Sequence, residues 1–435
     1  MKIYNYPSKS AVKKVESIVN RGLNFNKKDV RDVTRILEDV KKNGDKALVK
    51  YANRFDSPGL TATSLKVTRD EMDAASKNVN RSFVRALKRA AGQIEAFHRA
   101  QKSKSWMNTQ RPGTLLGQLI NPVDAAGVYV PGGTGGKTPL VSSVLMGAIP
   151  AKIAGVRQIS MVTPPMKNGR INPYLLSAAK LTGIDNVFKV GSAWAIAALA
   201  YGTETIPKVD VIVGPGNIYV TLAKKILAGI VGIDMIAGPS EILIIADRTA
   251  NPEFVAADLL SQTEHDAVAS AILVTDSRET AGAVVDAVKT QLETLIRKDT
   301  ARKSLAGFGA ILVVADLDTA LELANRIAPE HLELHVKEPF DYIGRIRNAG
   351  AVFIGDYTPE PVGDYVAGPN HVLPTAGTAR FSSALSVDNF MKKTSLVRYS
   401  EEAFKREAKD IIRLAEIEGL DAHAHAVKIR LEKLK

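Results

Sequence analysis

Histidine side chains in this sequence recur beside acidic and amide side chains, mostly in its second half. The chain has seven histidines, of which only His98 precedes residue 265. The groupings that could do chemistry are Gln262-Thr263-Glu264-His265-Asp266, Glu330-His331-Leu332-Glu333-Leu334-His335, Asp364 with Asn370-His371, and Glu418-Gly419-Leu420-Asp421-Ala422-His423-Ala424-His425. Imidazoles interleaved with carboxylates are typical of metal sites and proton-transfer sites, because each offers lone pairs or a proton that titrates near neutral pH.

The absence of cysteine limits both kinds of site. Any metal must be held by nitrogen and oxygen atoms, and covalent catalysis cannot use a thiolate. The sequence therefore favours a hard or borderline divalent ion acting as a Lewis acid. A chain without cysteine also suits a reducing compartment, so we expect the cytoplasm.

Two of the groupings place their polar side chains where they can act together. Gln262 and His265 are three residues apart in a predicted helix, so they project from one face and could hold one ion. Ordinary polar groups on a helix surface are the alternative for this pair. Glu330 and His331 follow Pro329, which disfavours helix at the preceding residue and predicts an element boundary. At such a boundary both side chains can line a cleft and activate water.

The other histidines carry weaker signals. His423 and His425 are two residues apart and diverge on a helix, so at most one is expected to function. His98, between Phe97 and Arg99 in a predicted helix, is interpreted as a surface or packing residue.

Two glycine turns follow predicted strands. Gly132-Gly133-Thr134-Gly135-Gly136-Lys137-Thr138 ends like a phosphate loop but has Pro131 where that motif needs glycine. It could still offer backbone N–H groups to an anion, whereas a nucleoside triphosphatase is not favoured. The second turn is Gly214-Pro215-Gly216-Asn217. Neither matches the glycine pattern of dinucleotide-binding folds, and a purely structural role is the alternative for both.

Short apolar runs alternate with helical segments from about residue 125, whereas residues 8–105 read as helices. The predicted strands are 127–130, 158–162, 186–190, 209–213, 242–246, 271–274, 310–314, 332–335 and 351–354, with helices such as 142–154, 193–201, 252–263 and 319–327 between them. This alternation predicts an α/β protein with parallel sheets and crossover helices. The distribution of strands favours two doubly wound, incomplete Rossmann-like modules.

The predicted organisation has four parts. Residues 1–125 form a helical region packing on the second α/β module, 126–238 the first module, 239–380 the second module and 381–435 a strand-poor tail. The tail ends in a charged amphipathic helix, so we expect it to pack on a partner subunit.

Basic residues are concentrated near the amino terminus. Residues 1–110 hold 24 Lys and Arg against 11 Asp and Glu, and the remaining residues hold 34 against 35. A basic helical arm could bind nucleic acid. No aromatic platform or recognition motif accompanies it, so a solvated helix surface is the favoured interpretation. The longest apolar stretch, 226–238, is too short and too polar to span a membrane.

Several strings, in order along nearly the whole chain, resemble the histidinol dehydrogenase family. They are Gly127-Val128-Tyr129-Val130-Pro131-Gly132-Gly133, Val213-Gly214-Pro215-Gly216-Asn217-Ile218-Tyr219-Val220, Ile236-Ala237-Gly238-Pro239-Ser240-Glu241, Asp258-Leu259-Leu260-Ser261-Gln262-Thr263-Glu264-His265, Ala328-Pro329-Glu330-His331-Leu332-Glu333, Val362-Gly363-Asp364-Tyr365 and Gly368-Pro369-Asn370-His371-Val372-Leu373-Pro374-Thr375.

The resemblance implies a zinc- and NAD-dependent enzyme that carries out the last two oxidations of histidine biosynthesis. Position by position, it implies one zinc per subunit, held by Gln262, His265, Asp364 and His423. It implies Glu330 and His331 as the acid–base pair, and Tyr129 and Asn217 as NAD contacts. The implied substrate contacts are Ser240, His331, Asp364, Glu418 and the zinc ligands. The family also implies an intertwined homodimer with shared active sites, without nucleic-acid or membrane partners.

One position departs from the family pattern. In Gly191-Ser192-Ala193-Trp194-Ala195 the family has glutamine at position 194, where it contacts NAD. Tryptophan cannot both donate and accept hydrogen bonds as an amide does. A packing role for Trp194 is therefore favoured over a retained NAD contact.

The chemistry that the resemblance implies has two stages. His331 takes the hydroxyl proton as hydride leaves histidinol, and Glu330 then activates water to attack the bound aldehyde. One rival is a related zinc- and NAD-dependent enzyme acting on another small alcohol, such as a sulfonated diol; Glu418 favours the imidazole substrate. Another rival is a catalytically silent binding protein, against which the complete set of catalytic residues argues.

Overall fold

The chain divides into two compact units in the computed structural model, which describes residues 1–22, 25–132 and 138–434. The first unit comprises Met1–Gln101 and Val123–Phe390, and the second comprises Lys102–Pro122 and Met391–Lys435. Residues 133–137 of the first predicted glycine turn lie outside the described residues. Among the described helices, none has the length and apolar character needed to cross a membrane.

Strands occur in both units. Those of the first unit are β1 (Ile3–Asn5), β4 (Ala125–Tyr129), β5 (Gln158–Thr163), β6 (Asn186–Lys189), β7 (Val211–Val213), β8 (Gly232–Ile233), β9 (Glu241–Ala246), β10 (Ser270–Thr275), β11 (Ala310–Val313), β12 (His331–His335) and β13 (Ala351–Ile354). Those of the second unit are β2 (Trp106–Asn108), β3 (Thr114–Pro122) and β14 (Met391–Tyr399).

Helices follow the same division. The first unit contains α1 (Lys9–Val19), α2 (Lys27–Phe55), α3 (Arg69–Lys77), α4 (Arg81–Arg99), α5 (Val141–Ala154), α6 (Pro173–Thr182), α7 (Ser192–Tyr201), α8 (Ile218–Leu227), α9 (Pro252–Thr263), α10 (Arg278–Leu292), α11 (Lys298–Phe308), α12 (Leu317–Ile327) and α13 (Glu360–Val362). The second contains α14 (Glu401–Ile417) and α15 (Asp421–Lys433). Short 3-10 segments cover Ala62–Ser64, Pro339–Arg345, Thr378–Arg380 and Val387–Phe390, and a π turn covers Gly363–Ala367.

The first sheet is parallel, with the strand order β6-β5-β4-β7-β8. The chain builds outward from β4 to β6 and then returns to β7 on the other side of β4. Such a reversal opens a crevice at the carboxyl ends of the two central strands. Tyr129 ends β4, and the turn from Gly214 to Asn217 follows β7, so both predicted NAD contacts lie at this crevice.

The carboxyl ends of β4 and β7 approach each other closely at Gly214. This residue has φ of +112°, and a Cβ atom here would lie 2.1 Å from the Tyr129 carbonyl oxygen. Only glycine accepts both this backbone conformation and this contact.

The second sheet is also parallel, with the order β1-β11-β10-β9-β12-β13. Its reversal falls between β9 and β12, where His331 lies opposite Ile242. Strands β9 and β10 are buried along their whole length, as expected for parallel strands covered on both faces. All nine predicted strands are present with ends within two residues, and the α/β fold with two parallel modules is confirmed.

The amino-terminal region packs differently from the prediction. Strand β1 and helix α1 pack on the second sheet and its helix α12, and α4 contacts the π turn Gly363–Ala367 of the second module. Helices α2, α3 and α4 also contact α5 to α8 of the first module. The reason lies in α2, whose apolar stripe Val33, Leu37 and Val40 shares one core with the apolar helix α7.

The tail after residue 380 is not strand-poor, which corrects the prediction. Strand β14 pairs antiparallel with β3 over nine residues, from Met391 opposite Pro122 to Tyr399 opposite Thr114, and β2 completes this sheet. Most residues of β14 are exposed, so its sequence lacks the apolar alternation that identifies a strand.

We predict that Gly214→Ala lowers the free energy of unfolding by roughly 3 kcal/mol or more, because backbone strain adds to the clash with Tyr129. Gly59→Ala is the matched control, since Gly59 has φ of +89° but no atom within 4 Å of the position that a Cβ atom would occupy. Gly59→Ala should lower the free energy of unfolding by about 1 kcal/mol, because it introduces backbone strain without a clash. Chemical denaturation of both variants measures the difference. Equal losses would show that the close approach to Tyr129 is unimportant.

Candidate active site

Glu330 precedes β12 and His331 begins it, at the element boundary that Pro329 predicts. After α12 ends, Ala328 adopts the left-handed conformation with φ of 55°, and β12 begins at His331. Gly350 packs so closely on this turn that a Cβ atom would lie 2.5 Å from the Glu330 carbonyl oxygen. Both catalytic candidates are buried. A strained backbone held by close packing is typical of a functional site.

The backbone of Glu241, the first residue of β9, contacts both side chains. Its N–H donates to Glu330 Oε2 at 2.9 Å, and its carbonyl oxygen lies 2.9 Å from His331 Nδ1. A carbonyl oxygen can only accept, so this contact assigns the proton to Nδ1 and leaves a lone pair on Nε2. His331 is therefore held in the tautomer that can act as a base through Nε2.

The imidazole of His331 is neutral near pH 7. Burial lowers its pKa to about 4; Asp364 opposes this shift, and His265 and His371 add to it. Its Nε2 lies 4.0 Å from Glu360 Oε1. A neutral imidazole with a free nitrogen can remove a proton from a bound hydroxyl group.

The carboxyl group of Glu330 has an increased affinity for protons. Burial raises its pKa well above the ordinary value, the Glu241 N–H opposes the rise, and the carboxyl groups of Glu241, Asp364 and Glu360 add to it. A carboxylate in such surroundings is a stronger base than an exposed one, as activation of water requires.

Gln262 and His265 lie at the carboxyl end of α9, but not both on the helix. Gln262 is in its last turn, and His265 lies in the turn that follows, its N–H donating to the Gln262 carbonyl oxygen at 3.3 Å. The helix ends there because the chain turns toward β10. Asp364 lies in the π turn after α13. Asp364 offers a ligand atom within 4.8 Å of one from His331. The charge of His265 contributes to the lowered pKa of His331.

The residues at this site fit a divalent cation. Gln262 is buried and its Oε1 has no hydrogen-bond partner, and His371 Nε2 is likewise buried and unpartnered. Buried polar atoms of this kind are destabilising unless something binds them. His331, Glu360 and Asp364 each offer a ligand atom within 4.8 Å of the others. All these donors are nitrogen or oxygen, which suits zinc among the divalent ions.

The remaining substrate and metal candidates lie in two places. Ser240 immediately precedes β9 and so adjoins the Glu241 peptide. Glu418 and His423 belong to the second unit, where Glu418 caps α14 and His423 lies in the first turn of α15. Both are exposed there.

Two buried carboxyl groups of the site, Glu241 and Glu360, escaped the residue-by-residue sequence reasoning. Glu241 opens an otherwise apolar strand, a signal that could have identified it. Burial raises the pKa of Glu241 to about 7. The positive charge of Arg21, whose Nη1 lies 3.9 Å from Glu241 Oε1, opposes this rise. Burial also raises the pKa of Glu360 to about 9, with Asp364 adding to the rise. No pattern in the sequence points to Glu360.

A second buried cluster adjoins the site through Glu360, whose N–H donates to Glu333 Oε1 at 2.8 Å. His335 Nε2 lies 3.3 Å from Glu333 Oε2 and 3.4 Å from Asp258 Oδ2. Burial alone would lower the pKa of His335, but the hydrogen bonds to Asp258 and Glu333 outweigh it and raise this pKa to about 9. A protonated His335 therefore balances the charge of these carboxyl groups.

A cavity of about 330 Å³ lies at the crevice of the first sheet and is lined in part by Tyr129 and Asn217. The Tyr129 hydroxyl accepts a hydrogen bond from the Ser192 N–H at 3.2 Å. Asn217 caps the amino end of α8 with its side-chain oxygen. The cavity thus adjoins the first turns of two helices, where backbone N–H groups favour anions.

Trp194 is buried with 5 % of its surface exposed. Its ring stacks against those of Tyr51 and Phe55, at centroid distances of 5.8 and 5.5 Å. This geometry favours the packing role over direct contact with a dinucleotide.

Comparison with known proteins gives one consistent result. A family model described as histidinol dehydrogenase matches residues 20–431. The histidinol dehydrogenase of Desulfotalea psychrophila is 54% identical over 96% of both chains, and that of Bacillus cereus is 50% identical over 100% of both. The crystal structure of histidinol dehydrogenase from Elizabethkingia anophelis superimposes with a TM-score of 0.94 at 40% identity, covering 100% of this chain and 98% of that one.

We predict that His335→Gln destabilises the protein most at slightly acidic pH. The pKa of His335 rises from an ordinary 6.5 to about 9 on folding, so its contribution is complete below pH 6.5 and disappears as pH rises through 9. The loss in unfolding free energy should be roughly 3 kcal/mol near pH 6.5 and smaller at pH 9.5. His425→Gln, at an exposed position, is the control. If the destabilisation caused by His335→Gln were greater at pH 9.5 than at pH 6.5, His335 could not be protonated in the way that we infer.

Proposed function

The chain belongs to the histidinol dehydrogenase family, and on that basis we propose that it oxidises L-histidinol through L-histidinaldehyde to L-histidine with two molecules of NAD. This is the last step of histidine biosynthesis. The observation that supports it most directly is the Glu330–His331 pair, held by the backbone N–H and carbonyl oxygen of Glu241 beside a set of nitrogen and oxygen donors. The relatives give no support to the rival function, oxidation of another small alcohol.

The metal in this proposal is one zinc ion per subunit, held by Gln262, His265 and Asp364 together with the partner subunit's His423. The Gln262 oxygen, which is buried without a hydrogen-bond partner, supports this set. When bound, zinc would orient the substrate and polarise its reacting group. Ser240 and the partner subunit's Glu418 would complete the contacts to the substrate.

NAD in this proposal occupies the cavity of the first sheet, in contact with Tyr129 and Asn217, and would accept the hydride in each oxidation. The first module is thus the NAD-binding side, and the second module carries the metal and catalytic residues. The crevice position of both contacts supports this arrangement.

His331 would act as the base in both oxidations. Its Nδ1 proton is bound by the Glu241 carbonyl, so Nε2 can take the proton of the substrate hydroxyl. Because burial keeps the free imidazole neutral, this nitrogen is available at physiological pH. Each oxidation therefore uses the same nitrogen atom.

Glu330 would act between the two oxidations. It would take a proton from the water molecule that adds to the bound aldehyde, and the resulting diol is the substrate of the second oxidation. Since the chain has no cysteine, no thiol can add to the aldehyde in place of water.

The partner in this proposal is a second copy of the chain, joined through the tail. The second unit exposes several large apolar side chains, as a surface that binds another subunit does, namely Trp106, Met107, Val397, Leu414 and Ile417. We place the enzyme in the cytoplasm, with neither nucleic acid nor membrane as a partner.

The test of this function is NADH formation from L-histidinol by purified protein, with and without a chelator. We expect two NADH per histidinol, loss of activity on chelation and recovery with zinc. Full activity in protein shown to be metal-free, or no NADH from histidinol, would refute the proposal.

We predict that His331→Asn and Glu330→Gln affect the two oxidations differently. His331→Asn should slow both by about a hundredfold or more, because it removes the base of each step. Glu330→Gln should slow oxidation of added histidinaldehyde by a similar factor and the first oxidation much less. Glu338→Gln, on an exposed segment, is the control. Equal losses on histidinol and histidinaldehyde for Glu330→Gln would contradict the division of roles.

We predict that two inactive variants regain activity when their subunits exchange. In a heterodimer of His331→Asn and His423→Ala chains, one site combines both defects and the other combines none. Activity should therefore return in proportion to heterodimer. A mixture of His331→Asn with Glu330→Gln is the control, since each of its sites keeps one defect. Heterodimer without activity would show that each site is built within one chain.

A further inference from the structure

The cavity of the first sheet carries two opposite charges. Its lining includes one carboxyl group, from Asp56, and one ammonium group, from Lys167. The first turns of α7 and α8 adjoin it through Ser192 and Asn217. Lys167 and the helix starts suit phosphate, whereas the carboxyl group of Asp56 suits a donor of hydrogen bonds.

The negative charge of Asp56 is poorly stabilised by the groups around it. It follows the last residue of α2, and a negative charge at the carboxyl end of a helix is unfavourable. Its Oδ2 is buried and has no hydrogen-bond partner. Burial raises its pKa to about 7, opposed by the Gly191 N–H, the Trp194 indole and the charge of Lys167. Among the described residues it has no ion pair within 4.0 Å.

Trp194 helps to orient this carboxyl group. The indole stacks against Tyr51 and against Phe55, the residue that precedes Asp56. Its N–H faces the carboxyl group closely enough to lower the Asp56 pKa, although the geometry falls short of a hydrogen bond. Trp194 itself is not part of the cavity lining. Its effect on a ligand would therefore pass through Asp56.

We propose that Asp56 accepts hydrogen bonds from the vicinal hydroxyl groups of a ribose of the dinucleotide, and that Trp194 positions it for this contact. The inference rests on the proposed NAD-dependent function and adds a specificity-determining residue to it. A carboxylate is an acceptor at each oxygen, so a ribose diol satisfies the group that the protein leaves unsatisfied. If the diol belongs to the adenosine ribose, the same carboxylate repels the 2′-phosphate of NADP.

The test measures binding of NAD and NADP by isothermal titration without histidinol. Asp56→Asn keeps the shape of the side chain and removes its charge, so the variant should fold; its unfolding midpoint is recorded alongside. We expect its Kd for NAD to rise about tenfold or more, as loss of a charge-assisted hydrogen bond predicts. Asp73→Asn, which alters an exposed carboxyl group on α3, is the control and should leave the Kd unchanged.

The two nucleotides identify the ribose. A loss of preference for NAD over NADP in Asp56→Asn would assign the adenosine ribose, and equal weakening of both would assign the nicotinamide ribose. Trp194→Phe keeps an aromatic stack and removes the N–H, so it should raise the Kd for NAD by a smaller factor. In turnover, Asp56→Asn should raise KM for NAD far more than KM for histidinol.

A Kd for NAD within about twofold of the wild-type value in folded Asp56→Asn would overturn the inference. Failure of the wild-type protein to bind NAD would overturn it as well. If the wild-type protein binds NAD but does not oxidise histidinol, the proposed function fails and the binding measurements still decide the role of Asp56.

Discussion

The backbone of one residue, Glu241, holds both candidate catalytic side chains through its N–H and its carbonyl oxygen. Glu241 opens β9, which lies between β10 and β12 in the centre of the second sheet. The backbone of Glu241 is part of this sheet, so the sheet positions Glu330 and selects the tautomer of His331. The charge of Arg21 and the N–H of Ala376 in turn hold the Glu241 side chain.

The candidate sites of the two sheets lie at opposite ends of their strands. The cavity of the first sheet lies at the carboxyl ends of β4 and β7, as the reversal of strand order predicts. The proposed catalytic pair lies instead at the amino ends of β9 and β12. Crossover helices run antiparallel to their strands, so the carboxyl end of α9, with Gln262 and His265, lies at this same end of the sheet.

Structural features that depend on apolar runs and local turns could be predicted from the sequence. Features that depend on tertiary packing could not. The nine strands and the boundary at Pro329 followed from composition and backbone restriction. Strand β14 did not, because its exposed residues lack an apolar pattern. Glu360 was missed for another reason: its role arises from contacts with Glu333 and His331, which are distant from it in sequence. The family motifs identified the metal candidates. The three-residue spacing from Gln262 predicted His265 on the same helix, but His265 lies in the turn after α9.

We propose that the ion binds beside Glu330 and His331 and not in the neighbouring cluster of Asp258, Glu333 and His335. Zinc content per chain, measured by mass spectrometry on folded variants, tests this placement most directly. Gln262→Leu and Asp364→Ala should lose most of the metal, and His335→Gln should keep roughly one zinc per chain. Loss of zinc from His335→Gln, with retention in the other two variants, would contradict the account.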